Sequence, residues 1–373
     1  MKTRASRFRL PAVLFKPSRL ILALATMSVA VAAAEREVDL QTAEGLREAY
    51  SGPVESWPAA QVDPGADFAE FGPLPPRRKL EGQAALRAAL GRRLFVERHL
   101  SGSGQIACVS CHDRELGFGD GLRQATGHDL QKGQRNAQSL FTAAFMHELF
   151  WDGRSPSLED QAHHPIVNPL EMAADPATVV AWINKQPDYR EAFREAYGID
   201  TIAMDDITRA LADFERSLRP PRSKWDRVFT RGTEVLTDQE LRGLHLFRTK
   251  ARCANCHSGP LLSDERYHSI GMAFYARKYE DVGRWDVTGK AEDVGRFRTP
   301  SLRGVRRTKP YMHNGLIPSL RGVVNLYAGG GGKDRTEQSE TTSAPPPQRD
   351  PLLRPLDLNA EERAALVAFL ETL

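Results

Sequence analysis

Cysteine is scarce in this 373-residue chain: four residues, all inside two pentapeptides, CVSCH at 108–112 and CANCH at 253–257. No thiol is left over for a disulfide framework spread along the chain. Long hydrophobic runs are missing beyond residue 34, so no later segment could cross a membrane, which takes about 20 apolar residues. There is no excess of charge of one sign. The 51 Lys+Arg face 48 Asp+Glu, and six of those cations lie in the first 19 residues, where there is no acid. Without them the balance is 45 against 48, a net −3. The apparent basicity belongs to the leader and gives no reason to expect a nucleic-acid partner. Strand-like alternation is also scarce, which leaves a mainly α chain.

The leader itself is informative. MKTRASRFRLPAVLFKPSR is basic, LILALATMSVAVAAA is apolar and short, and the small residues end before Glu35. That is the layout of a cleaved signal peptide over residues 1–34, and it implies export to the periplasm. An uncleaved membrane anchor is the alternative, although fifteen apolar residues are few for a span of about 20. Residues 35–78 are rich in Pro and Gly and read as a segment wrapping the surface. A weak repeat follows. RAALGRRLFVERHLSGSGQIACVSCH resembles DQELRGLHLFRTKARCANCH, each an amphipathic stretch with Gly, then Leu-Phe, then a loop into C-x-x-C-H. Two units are expected, 79–235 and 236–373, joined near 231–237. Helical periodicity marks 85–95, 176–185 and 207–217, and Asn359 reads as the N-cap of a C-terminal helix. Residues 329–350, GGGGKDRTEQSETTSAPPPQRD, read as a mobile surface insertion of low complexity.

In C-x-x-C-H, two thiols can form thioethers with the vinyl groups of one haem, and the adjacent His then ligates iron from the proximal side. A thioredoxin-type redox pair would not need the His, and a zinc site would want four ligands per cluster. Two copies behind an export signal point to two covalent c-type haems, with Cys108, Cys111, Cys253 and Cys256 as attachment points. His112 and His257 are the proximal ligands.

Further motifs stand between and after these sites: GHDLQKGQRNAQSLF, LFWDGRSPSLEDQ, PIVNPLEM, GRFRTPSLRGV, KPYMHNG and SLRGVVNLY. In order and spacing they resemble the bacterial di-haem cytochrome c peroxidase and MauG superfamily over nearly the whole mature chain. The resemblance implies two cytochrome c-like haem domains with a haem-bridging interface. It implies a peroxidatic haem at Cys108/Cys111/His112 with Gln161 and Glu171 as its distal pair and Pro165 as a pocket wall. Cleaving the O–O bond of peroxide needs a proton moved from the inner to the outer oxygen, which a placed carboxylate can do. Gln161 can orient the peroxide or stabilise developing charge. Trp151 matches a tryptophan between the haems. Asn136, Thr308 and Pro310 match a calcium site built from one side-chain oxygen and two backbone carbonyls, hard ligands suited to that ion.

Two positions pull the subfamily apart. His128, sixteen residues beyond His112, matches a removable sixth ligand of peroxidases that need reductive activation, while the neighbouring GFGDG is more like MauG, where that ligand is absent. Tyr327 occupies the position that supplies a methionine to the second haem in typical peroxidases. A thioether favours ferrous iron, whereas a phenolate favours ferric or higher states. Met312 and Met272 are the competing ligands. Ala251 stands where MauG has a tryptophan facing its protein substrate. His99, His147, His163, His164, His245 and His268 read as surface or packing residues.

Three functions follow. The first is a peroxidase that reduces hydrogen peroxide with electrons from a cytochrome c or cupredoxin. The second is a MauG-like oxidant of a protein or aromatic substrate, and the third is a plain di-haem electron carrier, which would need no distal acid. The resemblance also allows a homodimer.

Overall fold

The computed structural model describes residues 38–76 and 79–373; the leader read over 1–34 lies outside the described residues. Among those described, eleven α-helices carry the architecture. Two short strands, β1 (Tyr267–His268) and β2 (Phe297–Arg298), pair antiparallel with Tyr267 opposite Arg298. The mainly α expectation holds.

Residues 38–373 form one compact unit around two main cores. Residues 38–76 contribute α1 (Ala43–Ala49) and a run of irregular chain. The first core is built by α2 (Gly82–Phe95), α3 (Leu158–Val167), α4 (Pro176–Ile183), α5 (Pro187–Tyr197) and α6 (Met204–Ser217). The second is built by α7 (Lys224–Arg231), α8 (Asp238–Arg248), α10 (Leu320–Ala328) and α11 (Ala360–Leu370). The short α9 (Trp285–Thr288) lies between β1 and β2 in sequence.

Local chemistry explains the helix ends. Asp175 caps α4 by accepting the Thr178 N–H, and Pro176 sits where no N–H is needed. Capping boxes start α8 (Thr237 with Glu240) and α11 (Asn359 with Glu362). Along α6, Ile207, Ala210, Leu211 and Phe214 are buried at i, i+3, i+4 and i+7, the spacing of one helix face.

The weak repeat in the sequence is a repeated helix crossing. A Cβ on Gly91 of α2 would come 1.9 Å from the Ala210 carbonyl oxygen of α6 and 2.8 Å from the Phe214 Cβ. A Cβ on Gly243 of α8 would come 2.0 Å from the Ala365 oxygen of α11 and 2.7 Å from the Phe369 Cβ. Glycine is required at both positions because backbone meets backbone there. Phe369 is fully buried, which contributes about 1.5–3 kcal/mol.

The N-terminal segment packs on the second core. Tyr50, Trp57 and Phe71 join Trp225, Phe247 and Phe369 in one aromatic cluster. The buried Arg248 guanidinium lies by the Trp57 and Phe71 rings and binds the Glu70 carboxylate and the Pro58 carbonyl. Leu218 still packs on the first core, and Trp225 belongs to the second. The low-complexity stretch 329–350 has no helix or strand but is anchored. Ala344 is fully buried and accepts the Tyr275 hydroxyl at 2.7 Å, and Asp334 accepts the Ala273 N–H.

Candidate active site

Each C-x-x-C-H forms one 3-10 turn, Cys108–Ser110 and Cys253–Asn255, closed by the histidine N–H on the first cysteine carbonyl at 3.0 and 2.9 Å. The imidazoles are held alike. His112 Nδ1 donates to the Phe118 carbonyl at 2.8 Å, and His257 Nδ1 donates to the Leu262 carbonyl at 2.9 Å. This leaves Nε2 of both rings free to ligate a metal. Phe118 (φ 59°) and Leu262 (φ 54°) both adopt the left-handed conformation that turns the carbonyl towards its histidine. Such strain, about 1–3 kcal/mol for a non-glycine residue, recurs at functional sites. Burial holds both histidines below their ordinary pKa, in the neutral form that binds metal.

One cavity of about 760 Å³ reaches both pentapeptides. It lies in the range of cofactor sites, about 300–1,000 Å³. Its wall includes Gln161 and Pro165 from α3, Glu171 from the following turn, Trp151, Tyr327 from α10, and Leu211 and Glu215 from α6. Asn168 Nδ2 donates to Glu171 Oε1 at 2.8 Å, and the His128 N–H donates to the Glu171 carbonyl at 2.7 Å. Burial raises the Glu171 carboxyl above the usual range, opposed by Arg154, Asn168 and His164. Arg154, which lies over the Phe150 ring and grips Asp152, brings a cation to this pocket that the sequence reading left unassigned.

Trp151 sits in a tight turn closed by Leu149 N–H on the Ser155 carbonyl, with Gly153 at φ 71°. Its indole N–H donates to the Asn136 carbonyl at 3.0 Å. Edge-on to it lies His313, stacked on Phe297 at 3.6 Å between ring centres. Below these rings Arg135 binds Asp281 and Asp152, all three largely buried. Asn136, Thr308 and Pro310 all line the cavity, with Pro310 following a cis peptide bond.

His128 is different. Its side chain is not part of the cavity wall, and its Nε2 lies 3.4 Å from Asp129 Oδ2. Met272 is buried away from the cavity, whereas Met312 and Tyr327 both face it. Burial lifts the Tyr327 phenol well above its ordinary pKa. Ala251 is buried beside the second attachment site. His268 is clamped between Asp264 (2.8 Å) and Asp350 (2.7 Å); burial lowers its pKa, but these carboxylates together with Cys256 outweigh that and raise it. Asp350 lies 82 residues downstream, and nothing local in the sequence signals the pairing.

Comparison with known proteins gives the family. The family model for di-haem cytochrome c peroxidase matches residues 85–234. A cytochrome-c peroxidase IdrP1 of Pseudomonas sp. (strain SCT) is 36% identical over 332 residues, 81% of this chain and 84% of that one. The chain belongs to the di-haem cytochrome c peroxidase and MauG family. The methylamine utilization protein MauG of Methylorubrum extorquens is 36% identical over 290 residues, 77% of this chain and 78% of that one. A solved MauG-like protein associated with microbial copper homeostasis superposes with a TM-score of 0.68 at 30% identity, covering 84% of this chain and 92% of that one.

Two c-type haems are the group this family implies, and the residues fit them. All four cysteines are free of disulfides, both histidines keep Nε2 available, and the two sites open on one cavity.

Proposed function

We propose that the chain is an exported peroxidase that reduces hydrogen peroxide to water with electrons from a periplasmic cytochrome c or cupredoxin. The observation that carries this reading is the convergence of Gln161 and Glu171 on the cavity shared with Cys108, Cys111 and His112. When bound there, a haem supplies the redox chemistry of iron. The protein supplies the proton chemistry. Glu171 takes the proton from the inner peroxide oxygen and delivers it to the outer one, and its raised pKa brings it closer to that of a working acid–base group. Asn168 orients it, and Gln161 donates to the peroxide. A pure electron carrier would have no use for this pair. Electrons enter through the Cys253/Cys256/His257 site and pass Trp151.

A calcium ion at Asn136, Thr308 and Pro310 is part of the same proposal. The Asn136 side-chain oxygen and the Thr308 and Pro310 carbonyls accept no hydrogen bond from the described residues, which leaves them available to a cation.

The MauG-like reading is favoured by two observations: Tyr327 faces the second site, and the His128 side chain lies outside the cavity wall. Both support a resting state open to peroxide without prior reduction, with oxidising equivalents shared across the two sites.

The test is to mix the holoprotein with peroxide and reduced cytochrome c. The expected result is two cytochromes oxidised per peroxide consumed. Peroxide consumption with no donor oxidised would favour the second reading, and no consumption would contradict both.

A further inference from the structure

Among the described residues, three tyrosines each donate their phenol to a carboxylate: Tyr189 to Glu97 (2.8 Å), Tyr197 to Asp213 (2.8 Å) and Tyr267 to Glu148 (2.5 Å). A phenol paired in this way can lose its electron and proton together. Tyr189 and Tyr197 lie on α5 in the first core, away from the cavity wall. Tyr267 lies on β1. Its partner residue on β2, Arg298, donates its N–H to the Trp151 carbonyl at 2.8 Å, and Arg298 lines the cavity. The Tyr267 hydroxyl presses on Gly153, where a Cβ would come within 1.7 Å of it. Gly153 is two residues from Trp151, a backbone span of no more than about 7 Å. Outward, Tyr267 is partly exposed and Glu148 is 40% exposed, so the pair reaches solvent.

We propose that Tyr267 is a redox-active exit site. It carries oxidising equivalents from Trp151 to the surface, where they meet a phenolic or other aromatic donor, free or on a protein. The inference rests on the peroxide-dependent reading above. Peroxide, the substrate of that reading, is the oxidant. Tyr267 gives one electron to the oxidised Trp151 side chain, its O–H bond breaks, and the proton passes to Glu148 Oε2. A neutral tyrosyl radical is left. An aromatic donor then returns one electron and releases its own proton to solvent, and the proton on Glu148 goes back to the phenolate oxygen. Two such cycles supply the two electrons that, with two protons from solvent, reduce one peroxide to two waters.

The surroundings make the proton acceptor essential. The Arg284 guanidinium lies 3.7 Å over the Tyr267 ring and also binds Glu148 Oε2 at 3.1 Å. A cation on the ring face opposes a protonated radical and tolerates a neutral one. Glu148 is held below its ordinary pKa: burial raises it, but the Tyr267 phenol and Arg284 outweigh that, so it is present as the carboxylate. The site also offers what Ala251, buried in the second half, does not: an oxidisable side chain that touches solvent.

The experiment mixes the oxidised holoprotein with peroxide and no donor, freeze-quenches it, and records the radical by EPR together with the haem absorbance change. Spin trapping followed by peptide mass spectrometry places the radical on the chain. The expected result is a tyrosyl signal with the adduct on Tyr267, reduced at least five-fold in Tyr267→Phe and in Glu148→Gln. Tyr267→Phe keeps the ring and its packing, so a structural role alone would not remove the signal. A signal that persists in Tyr267→Phe, or that disappears in Tyr189→Phe or Tyr197→Phe instead, overturns the exit site and leaves the peroxidase reading standing. Absence of any haem absorbance change in the wild type overturns both.

Discussion

The two halves of the molecule share a chassis and differ in what they place on the cavity wall. Gly91 and Gly243 permit the same helix crossing, Phe118 and Leu262 hold the proximal histidines in the same strained way, and Leu211 and Leu366 line the cavity from equivalent turns of α6 and α11. One turn further the match breaks. Where α11 has Leu370, α6 has Glu215, a buried carboxyl whose Oε2 has no hydrogen-bond partner among the described residues. Elsewhere on the cavity wall stand Gln161 and Glu171 in the first half and Tyr327 in the second. A duplicated scaffold thus carries a carboxyl and an amide in one half and a bulky phenol in the other.

The largest effect should come from exchanging the polar groups on the cavity wall. Glu171→Gln should slow the peroxide step about 10²–10⁴-fold, the usual contribution of a placed acid–base group. Tyr327→Phe should slow it far less, while altering the optical and EPR signals of the second haem. Stopped-flow and EPR on both variants check this, and equal losses would erase the proposed division of labour. The wild-type rate should also fall as pH drops through the Glu171 pKa, which burial places above the ordinary carboxylate value, and the Gln variant should not follow that fall.

Glu215→Leu makes the first half resemble the second. Burial pushes the Glu215 carboxyl up to about 8, opposed by Arg216. In the unfolded chain it titrates near about 4.3. Between those values the folded state binds the extra proton, so wild-type stability falls as pH rises from about 4 to 8 and levels off above. The swing is on the order of a few kcal/mol. Thermal melts of the holoprotein at pH 5 and 8.5 should show the Leu variant gaining on the wild type at the higher pH only.

These contrasts differ in how far the sequence discloses them. The two C-x-x-C-H units, the Gly-x-x-Leu-Phe repeat, the Asn359 cap and the mainly α character are legible because each is a local pattern. Gln161, Glu171, Trp151 and Tyr327 were reached through family motifs, and the structure gathers all four on one cavity. Glu215 was not legible, since an acid in FERS on an amphipathic helix reads as part of its polar face. Phe118 and Leu262 carry no hint of a left-handed backbone, because that conformation is imposed by the histidine each must meet. Tyr267 and Glu148 are 119 residues apart, so only tertiary contact pairs them.

Smaller effects sharpen the symmetry of the chassis. Gly91→Ala and Gly243→Ala should each cost about 1–3 kcal/mol, because the added methyl meets a carbonyl oxygen in both crossings. Denaturant titration checks whether the losses match; a large difference would mean that the halves are not equivalent. Chelation of calcium should have the mildest effect, a modest loss of thermal stability and a perturbed Trp151 environment, both abolished in Asn136→Ala.

The most direct measurement is the haem absorbance change on mixing fully oxidised holoprotein with hydrogen peroxide, with and without one-electron pre-reduction. With His128 Nε2 turned to Asp129 and its side chain outside the cavity wall, the oxidised protein should react at once, and pre-reduction should not be required. Reaction only after pre-reduction would contradict this, placing His128 on the iron at rest and the gate in the first half of the molecule.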